Sequence, residues 1–174
     1  MAKLVYGLNM SLDGYVDHDR FAPDPVVFRH FIRQVRSETA AIYGRRMYEI
    51  MAYWDEDQPG WEDAEREYAE AWRAQPKYVV SRTLKSVGPN AKLISDNVEA
   101  EIRRLKTELT GEISITGPVL AGSLMPLIDE YQIYLHPVMA GPGTPFFAAA
   151  PPPLRLAATE RIGESVVRLT YVLA

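Results

Sequence analysis

Ala40-Ala41-Ile42-Tyr43-Gly44-Arg45-Arg46 is the stretch that decides the fold. Four apolar residues run without a charge, stop at a glycine, and are followed at once by two arginines. A short apolar run closed by glycine reads as a strand buried on both faces, and the residues through Met51 then read as a short helix. The pattern recurs. Lys77 to Val80 reads as a strand ending at Ser81-Arg82-Thr83, and Ile113 to Thr116 as one ending at Gly117-Pro118, where proline suits the first turn of a helix. Leu4 to Met10 is another charge-free run, broken by Ser11-Leu12-Asp13-Gly14, and Lys92 to Ile94 is a weaker strand.

Helical spacing fills the intervals. Asp24-Pro25 reads as an N-cap with proline behind it, after a polar loop over 17–25, and Val27, Phe28, Phe31, Ile32 and Val35 then share one face. Trp61, Ala64, Tyr68 and Trp72 share another, and Val98, Ile102, Leu105 and Leu109 a third. The helix from Pro118 is expected to stop before Pro126. Tyr131 to Val138 reads as a strand and Ala140 to Pro145 as a turn-rich loop. After the short proline linker Ala149 to Pro153, Leu154–Ile162 and Val166–Leu173 flank Gly163-Glu164-Ser165 as a terminal hairpin. Alternating strands and helices argue for a mainly parallel sheet covered by helices, with antiparallel strands on one side. The 174 residues are expected to form a single domain, 1–174, with no repeats.

Composition removes whole classes of function. Nineteen Lys and Arg stand against 23 Asp and Glu, a formal net charge of −4, which argues against nucleic-acid binding by a basic surface. No cysteine occurs, so disulfides, thiol nucleophiles, iron–sulfur clusters and cysteine-ligated zinc are excluded. No apolar run approaches the roughly 18 residues of a membrane span, and Met1 to Gly7 does not read as a signal peptide. The expectation is a cytoplasmic protein with a small-molecule partner, no nucleic acid and no membrane. His18, His30 and His136 show no metal spacing, so no metal site is expected.

Ligands of open α/β sheets sit at the carboxyl ends of strands. Three such ends carry phosphate-friendly groups: Gly44, Arg45 and Arg46; Ser81, Arg82 and Thr83; and Gly117 to Leu120 with free backbone N–H groups. The plain alternatives are a solvated basic turn, a capped turn and a tight strand-to-helix connection. Neither the P-loop nor the dinucleotide fingerprint is present: Ser123 stands where a P-loop lysine belongs, and Phe146 where a third glycine belongs. Asp13 follows the first strand where the chain turns. It is a candidate for holding an amine or relaying a proton, or else a turn-forming residue before Gly14. Trp54 with Tyr53 walls a pocket for a flat heterocycle, or is ordinary core.

Together Ser11-Leu12-Asp13-Gly14-Tyr15, Tyr43-Gly44-Arg45-Arg46-Met47-Tyr48-Glu49, Lys77 to Thr83, Gly117 to Ala121, Leu127 to Tyr131 and His136 to Phe147 resemble the dihydrofolate-reductase-like superfamily. Within it they are most similar to the C-terminal reductase domain of the bifunctional riboflavin-biosynthesis deaminase-reductase, in stand-alone form. The resemblance implies a three-layer α/β/α fold. Its central sheet is mixed, mostly parallel, with about eight strands, and ends in an antiparallel hairpin. It implies NADPH, hydride transfer to a C=N or C=O bond of a small polar heterocyclic or ribosyl substrate, and a homodimer. The implied activity is similar to that of 5-amino-6-(5-phosphoribosylamino)uracil reductase. By position, Gly44, Arg45 and Arg46 fall on the adenosine-phosphate side, and Ser81, Arg82 and Thr83 near the ribose 2′-phosphate. Gly117, Pro118, Val119 and Leu120 meet the pyrophosphate and nicotinamide, and Ser11 and Asp13 the reacting groups. Tyr48 and Trp54 are the expected substrate-pocket residues. Two positions depart from the pattern: Met47, where many relatives carry a phosphate-holding Thr, and Pro118, where many carry a second Gly. The apolar Val26-Val27-Phe28 stands where folate reductases carry a pterin-holding acid, which argues against folate. The alternative is a protein that keeps the fold as a non-catalytic NADP(H)-binding or structural dimeric module.

Overall fold

The computed structural model describes residues 1–22 and 24–174. Pro23, part of the expected polar loop, lies outside the described residues. Eight strands form one sheet: β1 (Lys3–Met10), β2 (Ala40–Gly44), β3 (Lys77–Val80), β4 (Ala91–Ile94), β5 (Glu112–Thr116), β6 (Glu130–Leu135), β7 (Leu154–Ile162) and β8 (Val166–Leu173), in the order β4-β3-β2-β5-β1-β6-β8-β7. The first six are parallel, β8 is antiparallel to β6, and the β7–β8 hairpin closes the edge. The helices are α1 (Pro25–Ser37), α2 (Arg45–Met51), α3 (Asp63–Ala74), α4 (Val98–Glu108) and α5 (Pro118–Ser123). This is the three-layer α/β/α arrangement with a mixed, mostly parallel sheet.

The layers follow from the strands. Ala40 and Ile42 of β2 pack with Leu4, Tyr6, Ile113 and Ile115 beneath Ile102 and Leu105 of α4 and Ala121 of α5. Their neighbours Ala41 and Tyr43 pack on the opposite face with Val79, Tyr48 of α2 and Trp72 of α3. The sheet centre therefore has no wet face, and its strands read as unbroken apolar runs rather than alternating ones. The helix starts follow from local chemistry. Asp24 accepts from the backbone N–H groups of Val26 at 2.8 Å and Val27 at 3.0 Å. Glu62 and Glu65 form a capping box at the head of α3.

Two expected elements are shorter than their sequence pattern. Trp61 precedes α3 rather than lying on it. The capping box starts the helix at Asp63, and the Trp61 indole N–H instead donates to the Tyr53 hydroxyl at 2.9 Å. β6 stops at Leu135, not Val138, because its neighbour β1 stops at Met10 and turns. The His136 N–H still donates to Met10 O at 2.9 Å, and beyond it the Leu12 N–H reaches Val138 O at 2.8 Å without continuing the strand. Among the described residues no helix is long and apolar enough to cross a membrane, and no group of three His, Asp or Glu could hold a metal ion.

Lys77 is buried at the start of β3. Its ammonium donates to the carbonyls of Trp72 at 2.5 Å and Gln75 at 2.7 Å at the end of α3, and lies 4.3 Å from the centre of the Trp72 ring. Burial pulls its pKa from 10.5 down to about 8, against the attraction of Asp55. The cap and the buried lysine each have a measurable signature. Asp24→Ala lowers stability by about 1 kcal/mol, or about 2–4 °C in Tm, by thermal unfolding. Between the folded pKa of Lys77 and that of the unfolded lysine, the unfolded chain holds a proton that the folded chain has released, so this group's contribution rises with pH. Urea unfolding at pH 7.5 and pH 10 is therefore expected to show the native protein gaining on Lys77→Met at the higher pH.

Candidate active site

A cavity of about 840 Å³ opens at the carboxyl ends of β2 and β5, the neighbouring strands at the middle of the parallel sheet. β2 leads into α2, which packs on one face, and β5 leads into α5, which packs on the other. The crevice between two such strands is the switch point where open α/β sheets bind ligands. Gly44 and Gly117 are the N-caps of α2 and α5, and neither offers a side-chain cap. A Cβ at Gly44 would lie 3.7 Å from the Leu120 Cβ, so the two helix starts approach each other closely. Gly117 has φ +115°, and a Cβ there would meet no atom within 4 Å. The positive φ favours glycine at this position, and the space beside its Cα is open.

The structure brings together most of the expected cofactor residues. Gly44, Arg45, Arg46, Gly117, Pro118, Val119 and Leu120 all line the cavity. Arg45 is spoken for: Nε donates to Glu49 at 2.9 Å and Nη1 to the Thr83 hydroxyl at 2.7 Å. That second bond joins the end of β3 to the cavity wall. Arg46 is exposed and makes no ion pair among the described residues. Met47, half-buried, lines the cavity and packs back toward Trp72.

The Ser81-Arg82-Thr83 group forms a turn beside a second, open groove. Ser81 is buried, and its Oγ accepts from the backbone N–H groups of Thr83 at 3.2 Å and Leu84 at 3.1 Å. Arg82 lines the groove with Asp96, Asn97 and Glu99 at the start of α4. Arg103 of the same groove is held by Glu99 at 2.8 Å, which leaves Arg82 as its unpaired guanidinium among the described residues.

Three expected residues stand elsewhere. Tyr48 is 6% exposed in the second core, and its hydroxyl accepts from the Gly88 N–H at 2.7 Å, so it is not a pocket residue. Ser11 is fully buried, with its Oγ donating to Asp13 at 2.6 Å and accepting from the Tyr15 N–H at 3.0 Å. Asp13 also accepts from the N–H groups of Ala140 at 3.0 Å and Gly141 at 2.8 Å. The Ser11 hydroxyl first, and then these amides, hold its carboxyl down at about 2. Asp13 is a tie for the 140–141 turn, and neither it nor Ser11 is on the cavity wall. Trp54 is on the wall, with Tyr53.

The wall also contains residues that the motifs did not single out: Val16, Asp17, His18, Ile50, Met51 and Thr144. Asp17 accepts from the Thr144 N–H at 2.7 Å and the Thr144 hydroxyl at 3.0 Å, and these bonds lower its pKa. A Cβ at position 143 would overlap the Asp17 carboxylate, so Gly143 is what lets the two loops close. No local signal reveals this pairing, because the partners lie 127 residues apart in sequence.

Comparison with known proteins shows the family and the fold. The model of the RibD C-terminal domain family matches residues 2–168. Bacillus subtilis (strain 168) YyaP, described as an uncharacterized protein, is 27% identical over 183 residues, covering 97% of this chain and 94% of that one. A solved structure from Shewanella sp. PV-4, provisionally assigned to riboflavin biosynthesis, superposes with a TM-score of 0.75 at 23% identity, over 99% and 98% of the two chains. Dihydrofolate reductase from Enterococcus faecalis, complexed with NADP(H) and RAB-propyl, superposes with a TM-score of 0.65 at 13% identity, over 98% and 95%. The two superpositions show the dihydrofolate-reductase-like fold, and the match over residues 2–168 makes this chain a member of the RibD C-terminal domain family.

Proposed function

We propose that this protein is an NADPH-dependent reductase that adds hydride to a C=N or C=O bond of a small ring-bearing substrate, as 5-amino-6-(5-phosphoribosylamino)uracil reductase does. The observation that carries this reading is the switch-point cavity, where two helix starts without side-chain caps face one hollow beside an unpaired arginine. The hollow at Gly117 fits a group that must come close to backbone. The fold shared with an NADP(H)-complexed reductase supports the same reading.

NADPH, when bound, would supply the hydride for the substrate carbon and become NADP⁺, and the substrate nitrogen or oxygen would take a proton that comes from water. The protein's own share is placement. Arg46 and the backbone N–H groups of Val119 and Leu120 hold phosphate, and Arg45 braces the wall through Thr83. Arg82 recognises the ribose 2′-phosphate as a forked donor. Asp13 and Asp17 position the 140–144 loop rather than taking part in proton transfer. His18 is the imidazole on the wall through which the proton can pass. The homodimer remains part of the proposal and is decided by light scattering.

The test is a titration with NADPH and NADH, followed by energy transfer from the three tryptophans, one of which, Trp54, lines the cavity. The native protein is expected to prefer NADPH. Arg82→Ala is expected to weaken NADPH about tenfold with little change for NADH, and Arg46→Ala to weaken both, as removal of one charge-assisted hydrogen bond implies. Unchanged NADPH affinity in both variants overturns the assignment of the arginines, and tight binding without oxidation of NADPH across a substrate panel points to a binding module. Asp13 has its own signature. A carboxyl held near 2 contributes stability above its unfolded value of 3.8 and loses it as pH falls toward 2. Acid unfolding of Asp13→Asn is therefore expected to be less steep than that of the native protein between pH 4 and 2.

A further inference from the structure

The cavity wall divides by chemistry along α2. Near Gly44 it carries the two arginines; at the far end it carries Ile50 and Met51, followed by Tyr53 and Trp54 in the 3-10 turn Ala52–Asp55. Ile50 lies six positions after Gly44, a rise of about 9 Å at 1.5 Å per residue. A volume of about 840 Å³ leaves room for a second ring system beside a nicotinamide.

Several polar side chains of the wall already have partners, although the Tyr53 hydroxyl keeps its own proton free to donate. Each oxygen of Asp17 receives one bond from Thr144. The Ser123 hydroxyl donates to Leu120 O at 2.8 Å, the Tyr53 hydroxyl accepts from Trp61, and Arg45 is held by Glu49 and Thr83. Among the described residues, Arg46 and His18 are left without an ion pair. A pterin or aminopyrimidine presents an amidine-like edge that is best met by a carboxylate with both oxygens turned to it, and each oxygen of Asp17, the one carboxylate lining this wall among the described residues, is already aimed at Thr144. A phosphoribosyl group calls for several convergent donors beyond those taken by the cofactor, and the far end of the wall offers Ile50, Met51 and aromatic rings. Leaving such polar groups unpaired against apolar surface is unfavourable, whereas a flat ring buries area on Trp54 and Tyr53 at no such cost.

We propose that the substrate is a flat, mostly apolar aryl carbonyl or imine without a phosphate group, seated on the Ile50–Trp54 wall. This rests on the reductase reading above and departs from the riboflavin analogy in substrate class. Hydride from NADPH goes to the carbonyl or imine carbon, the π pair moves to oxygen or nitrogen, water supplies the proton, and NADP⁺ is released with an alcohol or amine.

The experiment uses 2-naphthaldehyde as the apolar probe and ribose 5-phosphate as the polar one. Each is titrated calorimetrically into the full-length protein with and without NADPH, alongside a separate NADPH titration. The expected result is binding of 2-naphthaldehyde and none of ribose 5-phosphate. Ile50→Asp puts a charge on this wall at a side chain already 37% exposed, so the core is spared. It is expected to weaken 2-naphthaldehyde about tenfold or more, as for a charge set against an apolar ring, with Tm close to native. Ribose 5-phosphate binding in preference to 2-naphthaldehyde overturns the substrate class while leaving the reductase intact. So does failure of 2-naphthaldehyde to bind, or its binding equally well to Ile50→Asp. Absence of NADPH binding overturns the reductase reading instead, and 2-naphthaldehyde binding sensitive to Ile50→Asp then still upholds an apolar-ring site.

Discussion

Burial of β2 on both faces is the constraint from which the rest of the structure follows. Ala40, Ala41, Ile42 and Tyr43 are all buried, and alternate residues serve opposite layers. A strand with no solvated face needs helices above and below, and its backbone polar groups must be met by strands on both sides. β3 and β5 meet them in register. The chain can leave such a strand only at its end, and it leaves through Gly44, where the absence of a side chain keeps the exit narrow. The helices that follow β2 and β5 take opposite faces, so a crevice between their starts is a geometric consequence of that exit.

The central parallel strands, the cap at Asp24, the helix start at Pro118 and the terminal hairpin are legible in the sequence because each is governed by neighbours along the chain. The arginine-bearing half of the cavity is legible for the same reason: Gly44 to Arg46 and Gly117 to Leu120 are local strand-to-helix turns. The far half is not. Ile50 and Met51 look like ordinary helix apolars, and only the packing of α2 shows that they face a hollow. The misplacement of Tyr48 has the same origin, since one helical position decides whether a ring faces Trp72 or the cavity. Alternation alone carries β6 on to Val138, but a strand ends where its neighbour ends, and that depends on β1 at the far end of the sequence.

Asp13 shows how a carboxylate just after a strand can be read two ways. Its position beside a turn suits catalysis as well as tethering, and the sequence carries nothing to choose between them. Three donors converge on it, from Ser11, Ala140 and Gly141. A carboxylate that receives three hydrogen bonds stays ionised and stays put, which suits holding a loop and does not suit giving up or receiving a proton near neutrality.

Asp13 and Asp17 grip the 140–144 segment at both of its ends, and Gly143 makes room for the second grip. Two non-covalent clasps, each reaching across more than 120 residues of sequence, act on this rim as a pair of cross-links would. Such a rim is ordered before any guest arrives, so docking forfeits little chain entropy there. A guest seated at that edge would meet a fixed mould rather than a closing hand.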